Sequence, residues 1–237
     1  MDEEFDFVVV GSGGGSMCAG LVMRSAGKSV VVLEKTDKVG GTTARSGGVM
    51  WIPNNRFMKE DGVEDSFEKS MIYMDATVGM YDDAPGATRE RRQTYVGQAP
   101  RMVDFLVEQG VKLRRVKYYP DYYDDRPGGS VPGRTVVAEL FNVNELGREW
   151  SKKLRPNFLS LPGALDEFFW VGAFNRSWKG KYMMLKVGLR GALAAVTGKH
   201  WVTAGAALQG RMLQAALKAG VDIRNNSGVK SFIVDDD

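Results

Sequence analysis

The run Gly11-Ser12-Gly13-Gly14-Gly15-Ser16 constrains this chain more than any other feature. It follows the apolar stretch 5–10 directly and opens a helix-compatible stretch, 16–26, in which Met17, Leu21 and Val22 recur at helical spacing. Gly27 stands where a helix C-cap would, and residues 29–33 form a second, β-branched run that ends on Glu34. Strand, glycine turn, helix and strand make a βαβ unit. The strands are then parallel and the crossover is right-handed.

Each position in the turn has a physical task. Gly11 makes the tight exit from the strand, and Gly13 lets a pyrophosphate approach the backbone. Ser16 replaces the third glycine of G-x-G-x-x-G and is small enough for close helix–strand packing, which Gly20 extends by a turn. The helix that begins about Gly14 offers free N–H groups and the positive end of its dipole to phosphates. Glu34 follows the fingerprint by about 20 residues, where an acidic side chain binds ribose hydroxyls. The expectation is a dinucleotide site.

The loop after Glu34 points to FAD rather than NAD. Residues 35–55, rich in glycine and hydroxyls, stand where an NAD-binding fold would soon begin another helix. Gly40-Gly41 and Gly47-Gly48 would let backbone approach a flat ring. Thr42, Thr43 and Ser46 offer hydroxyls to phosphate, ribityl or ring atoms. Ser12, Lys35 and Val229 complete the expected cofactor-binding set.

Composition narrows the rest. The 237 residues suit one large domain or one and a half ordinary ones, with 43% hydrophobic and 26% charged side chains. A net charge of +3, from 32 basic and 29 acidic side chains, gives no case for nucleic acid. One cysteine, Cys18, and one histidine, His200, rule out an intrachain disulfide and argue against a His/Cys metal site or a hydrolase triad. The cysteine usage fits a reducing compartment, and there is neither a signal peptide nor a transmembrane segment, so a cytoplasmic location is expected.

Farther along, periodicity predicts helices over 66–78, 88–109 and 203–219. Strands are predicted over 112–116, 221–224 and 229–234, with a turn at 225–228. Residues 118–134 read as a Tyr-, Asp-, Pro- and Gly-rich loop, and 136–201 as mixed helix and loop. The fold class is α/β, a Rossmann-like FAD-binding domain with an incomplete parallel sheet. It divides into a core, 5–34, an FAD loop, 35–55, a helical insertion, 56–202, and a return helix with strands, 203–234. Basic residues among aromatics, Lys152, Lys153, Arg155, Trp178, Lys179, Lys181, Lys186 and Arg190, are expected to form a solvated face with lysine stems over apolar surface; a membrane or partner patch is the other reading. Cys18 is expected to pack against the sheet, although a thiol near a helix N-terminus can also be acidified. His200 is expected to be structural.

The segments GSGGGSMCAG, EKTDKVGGTTARSGG and WIPNN together resemble the FAD-binding dehydrogenases of the 3-ketosteroid Δ1-dehydrogenase type, in the fumarate reductase/succinate dehydrogenase flavoprotein superfamily. PDYYDDRPGGSVPGR is similar to the steroid-dehydrogenase branch, and GAALQGRMLQAALKAGVDIRNNSGVKSFIVDDD to the helix and strands that return to the FAD sheet. The resemblance implies a steroid-like small-molecule substrate, hydride transfer to flavin and tyrosine-assisted proton removal. Tyr122 best matches an assisting tyrosine, with Tyr123 and Tyr119 as rivals. Gly41 stands where covalent members carry a histidine, so FAD is expected to be non-covalent. Full members are longer. The resemblance therefore implies an N-terminal part without its catalytic domain, inactive alone and with weak or absent FAD retention. Alternatives are a fumarate reductase-like enzyme acting on a dicarboxylate, and a non-catalytic FAD-binding fragment or subunit that needs a C-terminal partner chain.

Overall fold

The computed structural model describes residues 3–79, 84–157 and 162–234. In chain order the elements are β1 (Phe7–Val10), α1 (Gly14–Ser25), β2 (Val30–Leu33), β3 (Met50–Trp51), α2 (Arg56–Glu60), α3 (Phe67–Thr77), α4 (Arg89–Glu108), β4 (Leu113–Arg115) and β5 (Thr135–Ala138). There follow β6 (Phe141–Asn142), α5 (Gly147–Lys153), α6 (Leu165–Gly172), α7 (Trp178–Thr197), β7 (Trp201–Val202), α8 (Ala204–Lys218) and β8 (Asp222–Arg224). Contacts divide the chain into two units, Met1–Gly48 with Ala138–Asp237, and Val49–Val137. The insertion expected over 56–202 thus has residues in both.

The first unit is built on a parallel sheet ordered β1-β2-β8. Val8 faces Val31, and Val32 faces Ile223. Val30, Val31 and Val32 are buried, as the β-branched run requires of a central strand covered on both faces. β1 lies at the edge of this sheet among the described residues, with Val9 buried and Val8 and Val10 about half exposed. α1 lies on the sheet through Met17, Gly20 and Leu21, and a Cβ on Gly20 would stand 3.5 Å from Val32. Gly27 follows the helix with φ +80, a left-handed conformation that glycine adopts without strain.

α8 is buried over most of its length, and so carries small residues on several faces. A Cβ on Gly205 would lie 1.8 Å from the Thr43 carbonyl oxygen, and one on Gly48 would lie 2.4 Å from the Ala204 carbonyl carbon. The glycine-rich loop after β2 is thus pressed onto the start of α8, backbone to backbone. The chain then returns through β8. The strand expected over 229–234 is not formed: 229–234 is irregular and largely exposed, because no strand pairs with it among the described residues. The acidic end, 235–237, lies outside the described residues.

In the second unit β3, β5 and β4 form a small sheet in the order β3-β5-β4. Ser66 and Thr88 cap α3 and α4 by accepting from the Lys69 and Arg91 amides, as Ser and Thr do at helix starts. At the centre lies Arg134, fully buried. Its guanidinium donates twice to Asp65 at 2.8 Å and once to Asp121 at 2.6 Å, and stands 5.5 Å from the rings of Trp51 and Tyr73. Trp51 Nε1 donates to the other Asp121 oxygen at 2.8 Å. Burial opposes ionisation of Asp65, but the bonds from Arg134 and from the Asn54 amide outweigh it and hold its pKa below the usual carboxylate range.

Removing one partner from such a network leaves buried charge uncompensated. Arg134→Met should destabilise the protein by about 3–5 kcal/mol, measured by urea denaturation. A loss within the range of a surface substitution would show that Arg134 does not organise this unit.

Candidate functional site

The site lies in the first unit, at the carboxyl ends of β1 and β2, where parallel α/β sheets bind ligands. Gly11 turns out of β1 with φ +87, and its N–H donates to the Leu33 carbonyl at 2.8 Å. Gly13 is the N-cap of α1 and has no side chain to cap the helix. The Gly14 N–H donates to Thr43 Oγ1 at 3.1 Å, so the threonine caps it from the loop.

Ser12 ties three segments together. Its hydroxyl donates to a Glu34 carboxylate oxygen and accepts from the Gly40 N–H at 3.0 Å. The other Glu34 oxygen accepts from the Thr36 N–H at 2.9 Å and from Thr36 Oγ1 at 3.0 Å. Burial pushes the Glu34 pKa up, but the bonds from Ser12 and Thr36 outweigh it, so the net shift is down and the carboxylate stays ionised. A carboxylate offers about four acceptor positions. The Ser12 N–H is a further donor, so the protein itself fills most of these positions and a ribose hydroxyl would share or displace one.

Around this carboxylate is a cavity of about 660 Å³, within the range of small-molecule sites. Of the expected cofactor residues, Gly11, Ser12, Gly13, Glu34, Lys35, Gly41, Thr42 and Val229 line it. Gly41 has φ +52, and a Cβ there would lie 3.3 Å from Gly13 Cα, so the two loops close on each other because both lack side chains. Gly14, Ser16, Thr43, Ser46, Gly47 and Gly48 are not among the lining residues. Ser46 Oγ donates to the Thr43 carbonyl at 2.8 Å and accepts from the Gly48 N–H at 3.0 Å, so its hydroxyl shapes the loop. Gly48 is required by the α8 backbone, which leaves no room for a side chain there.

Thr36, Arg45, Arg155 and Gly228 also line the cavity and were not anticipated. Arg155 arrives through a parallel bridge between Val39 and Leu154, in which its N–H donates to the Val39 carbonyl at 2.8 Å. Its guanidinium donates to Thr36 Oγ1 at 2.8 Å, while Nε is buried without a partner among the described residues. Gly228 is placed by the turn after β8, where the Ser227 N–H donates to the Glu34 carbonyl at 2.8 Å. Beneath the loops, Gln209 of α8 is buried with neither amide atom partnered among the described residues. A Cβ on Gly14 would lie 3.6 Å from its Nε2. Glycine turns, a helix N-terminus, an ionised carboxylate, three cations and unpartnered buried donors fit a phosphate-bearing dinucleotide.

Cys18 is partly buried and its pKa is raised by burial, so packing prevails over acidification. His200 donates its backbone N–H to Asn142 Oδ1 at 2.9 Å and does not line the cavity. Among the described residues no cluster could hold a metal ion.

Tyr122 lies in the second unit. Its neighbours are pinned: the Asp121 N–H donates to the Ser130 carbonyl at 3.0 Å, and the Tyr123 N–H to the Tyr73 hydroxyl at 3.2 Å. Tyr122 is 79% exposed. The Tyr119 pKa is raised, first by burial and then by a hydrogen bond with Tyr122, so the two phenols meet.

Fold and site define a dinucleotide-binding domain of the parallel α/β class. The FAD-binding domain family model matches residues 6–237, and the chain belongs to that family, with FAD as its cofactor. It is 36% identical over 239 residues to a 3-oxosteroid 1-dehydrogenase of Mycolicibacterium smegmatis, an alignment covering 99% of this chain and 41% of that protein. It is 34% identical over 222 residues to a 4-oxocyclohexanecarboxylate 2-dehydrogenase of Sinomonas cyclohexanicum, covering 92% of this chain and 35% of that protein. Among solved structures, the 3-ketosteroid Δ1-dehydrogenase of Sterolibacterium denitrificans, in complex with 1,4-androstadiene-3,17-dione, superposes with a TM-score of 0.85 at 30% identity, covering 98% of this chain and 42% of that one. The chain thus spans about two fifths of the length of these relatives.

The Glu34 shift sets a pH dependence. Its pKa is lower in the folded site than in an unfolded chain, so its contribution is present above the ordinary carboxylate range and is lost as pH falls through the depressed value. FAD binding, followed by flavin fluorescence, should weaken over that acidic interval. In Ser12→Ala burial still acts while one opposing hydrogen bond is gone, so the midpoint should move to higher pH. An unmoved midpoint would show that Ser12 does not hold the carboxylate.

Proposed function

We propose that this chain is the FAD-binding part of a flavin-dependent dehydrogenase that removes hydrogen from carbons adjacent to a ring ketone, a 3-oxo steroid being the preferred substrate class. The observation that carries the reading is the cavity at the carboxyl ends of β1 and β2, where Glu34, Gly13 and the start of α1 meet. Two relatives with ring-ketone substrates in their names support the substrate class.

In this reading the cofactor residues are Gly11, Ser12, Gly13, Gly14, Ser16, Glu34, Lys35, Gly41, Thr42, Thr43, Ser46, Gly47, Gly48 and Val229, joined by Arg45 and Arg155. Glu34 accepts from the ribose of the adenosine half, and the N-terminus of α1 with Arg45 and Arg155 neutralises the pyrophosphate. The flavin, bound without a covalent link, supplies a hydride acceptor. Tyr122 assists removal of the proton from the carbon beside the ketone, its phenol held next to that of Tyr119 on a pinned loop. The rest of the substrate site comes from sequence beyond these 237 residues, in the same polypeptide or in a partner chain. The lone cysteine suits a cytoplasmic setting.

With the gene product at its full natural length, anaerobic addition of a 3-oxo steroid should bleach the flavin. Tyr122→Phe should slow the bleaching about 10²-fold, the lower range for loss of an acid–base group, with little change in FAD binding. The 237-residue chain alone should bind FAD without being bleached. Bleaching by dicarboxylates but not by ring ketones would overturn the reading.

A further inference from the structure

The loop from Tyr118 to Arg134 follows an unusual backbone path. Tyr118 has φ +60, in the left-handed region that a bulky side chain rarely takes. A Cβ on Gly133, itself at φ +76, would lie 1.6 Å from the Tyr119 carbonyl oxygen, so the backbone of Tyr119 rests directly on Gly133. Asp121 is buried, and its carboxylate accepts from the Ser130 N–H at 3.1 Å, from Arg134 at 2.6 Å and from Trp51 Nε1 at 2.8 Å. The Tyr73 hydroxyl accepts the Tyr123 N–H at 3.2 Å. Every second residue from Tyr119 to Tyr123 is therefore anchored, by backbone contact, by ion pair and by hydrogen bond in turn. Strained backbone that its surroundings hold in place points to a requirement on the side chains it presents.

The side chains presented here are two phenols three residues apart, Tyr119 and Tyr122, hydrogen-bonded to each other. They differ in exposure: Tyr119 is half-buried, whereas Tyr122 is 79% exposed. Burial disfavours a phenolate, so of the two it is Tyr119 that keeps its proton and donates. Its pKa is raised accordingly, first by burial and then by the bond to Tyr122. The direction of this bond fixes the other hydroxyl. With its oxygen accepting on the Tyr119 side, Tyr122 presents its own proton away from that contact. The nearby Tyr73 hydroxyl serves the Tyr123 backbone instead.

We propose that Tyr119 is a positioning residue for Tyr122: its hydroxyl donates to the Tyr122 oxygen, turns the Tyr122 proton outward and stabilises negative charge that gathers on that oxygen during the proton step. This role rests on the reading of Tyr122 as the assisting phenol. A phenylalanine at 119 would fill the same space and keep the loop, but would leave the Tyr122 oxygen without its donor.

Two measurements test it. In the 237-residue chain, with a carbon-13 label at the tyrosine ring carbon that bears the hydroxyl, the Tyr119 signal should titrate above the ordinary phenol range. In Tyr122→Phe it should move back toward that range, since one cause of the shift is gone while burial remains. In the gene product at its full natural length, Tyr119→Phe should slow flavin bleaching by a 3-oxo steroid about tenfold, the contribution of one hydrogen bond. FAD binding and the steroid concentration that gives half the maximal rate should stay unchanged. Added to Tyr122→Phe, the same change should slow bleaching no further, because the two phenols act as one unit. A Tyr119 titration indifferent to Tyr122→Phe would overturn the proposal. So would a Tyr119→Phe protein that bleaches at the unaltered rate while Tyr122→Phe is slow, and in that case the reading of Tyr122 stands. Equal slowing by Tyr119→Phe with and without Tyr122 would assign Tyr119 a structural role only and overturn it too. Normal bleaching in Tyr122→Phe would overturn the reading and the proposal together.

Discussion

The bond between Ser12 and Glu34 joins the end of one strand to the end of the next, and the rest of the site follows from it. Ser12 also accepts the Gly40 N–H, so one hydroxyl fixes the glycine turn, the carboxylate and the first bend of the following loop. Thr36 holds the other carboxylate oxygen and is itself reached by Arg155. The outcome is a preorganised anionic acceptor in a cavity whose lining also includes four glycines and the cations Lys35, Arg45 and Arg155. An ionised carboxylate can stay buried there because hydrogen bonds replace its water.

The loop after β2 owes its composition to two contacts. At one end Gly41 meets Gly13, which brings backbone to where a pyrophosphate would lie. At the other Gly48 and Gly205 let the loop rest on α8 at distances that no side chain would allow. The glycines thus serve the fold, and in the proposed reading the ligand as well. α8 completes the arrangement by placing the unpartnered Gln209 amide below the start of α1.

Much of this was legible in the sequence. The βαβ unit, the helices beginning near 66 and 88, the stop at Gly27 and the helix near the C-terminal end all have local causes, and local causes leave periodic or positional marks. Glu34 was found by its distance from the fingerprint. Arg155 was not, because a bridge between Val39 and Leu154 brings it in from far along the chain and leaves no spacing to read. The strand over 229–234 was anticipated from its apolar residues, but a strand also needs a partner. α7 escaped because its apolar stripe points outward and its inner side carries Gly180 and Gly191, the reverse of the usual core-facing pattern. Tyr122 shows a third kind of limit: the loop chemistry was readable, while the pinning that holds it depends on Asp121, Tyr73 and Ser130.

Calorimetric titration of the 237-residue protein and of Glu34→Gln with FAD tests the central claim most directly. A single saturable site should appear at neutral pH, weakened at least about tenfold in Glu34→Gln, since a charge-assisted hydrogen bond contributes about 1.5–3 kcal/mol. Equal affinity in the two proteins, or no saturable binding in either, would contradict the account.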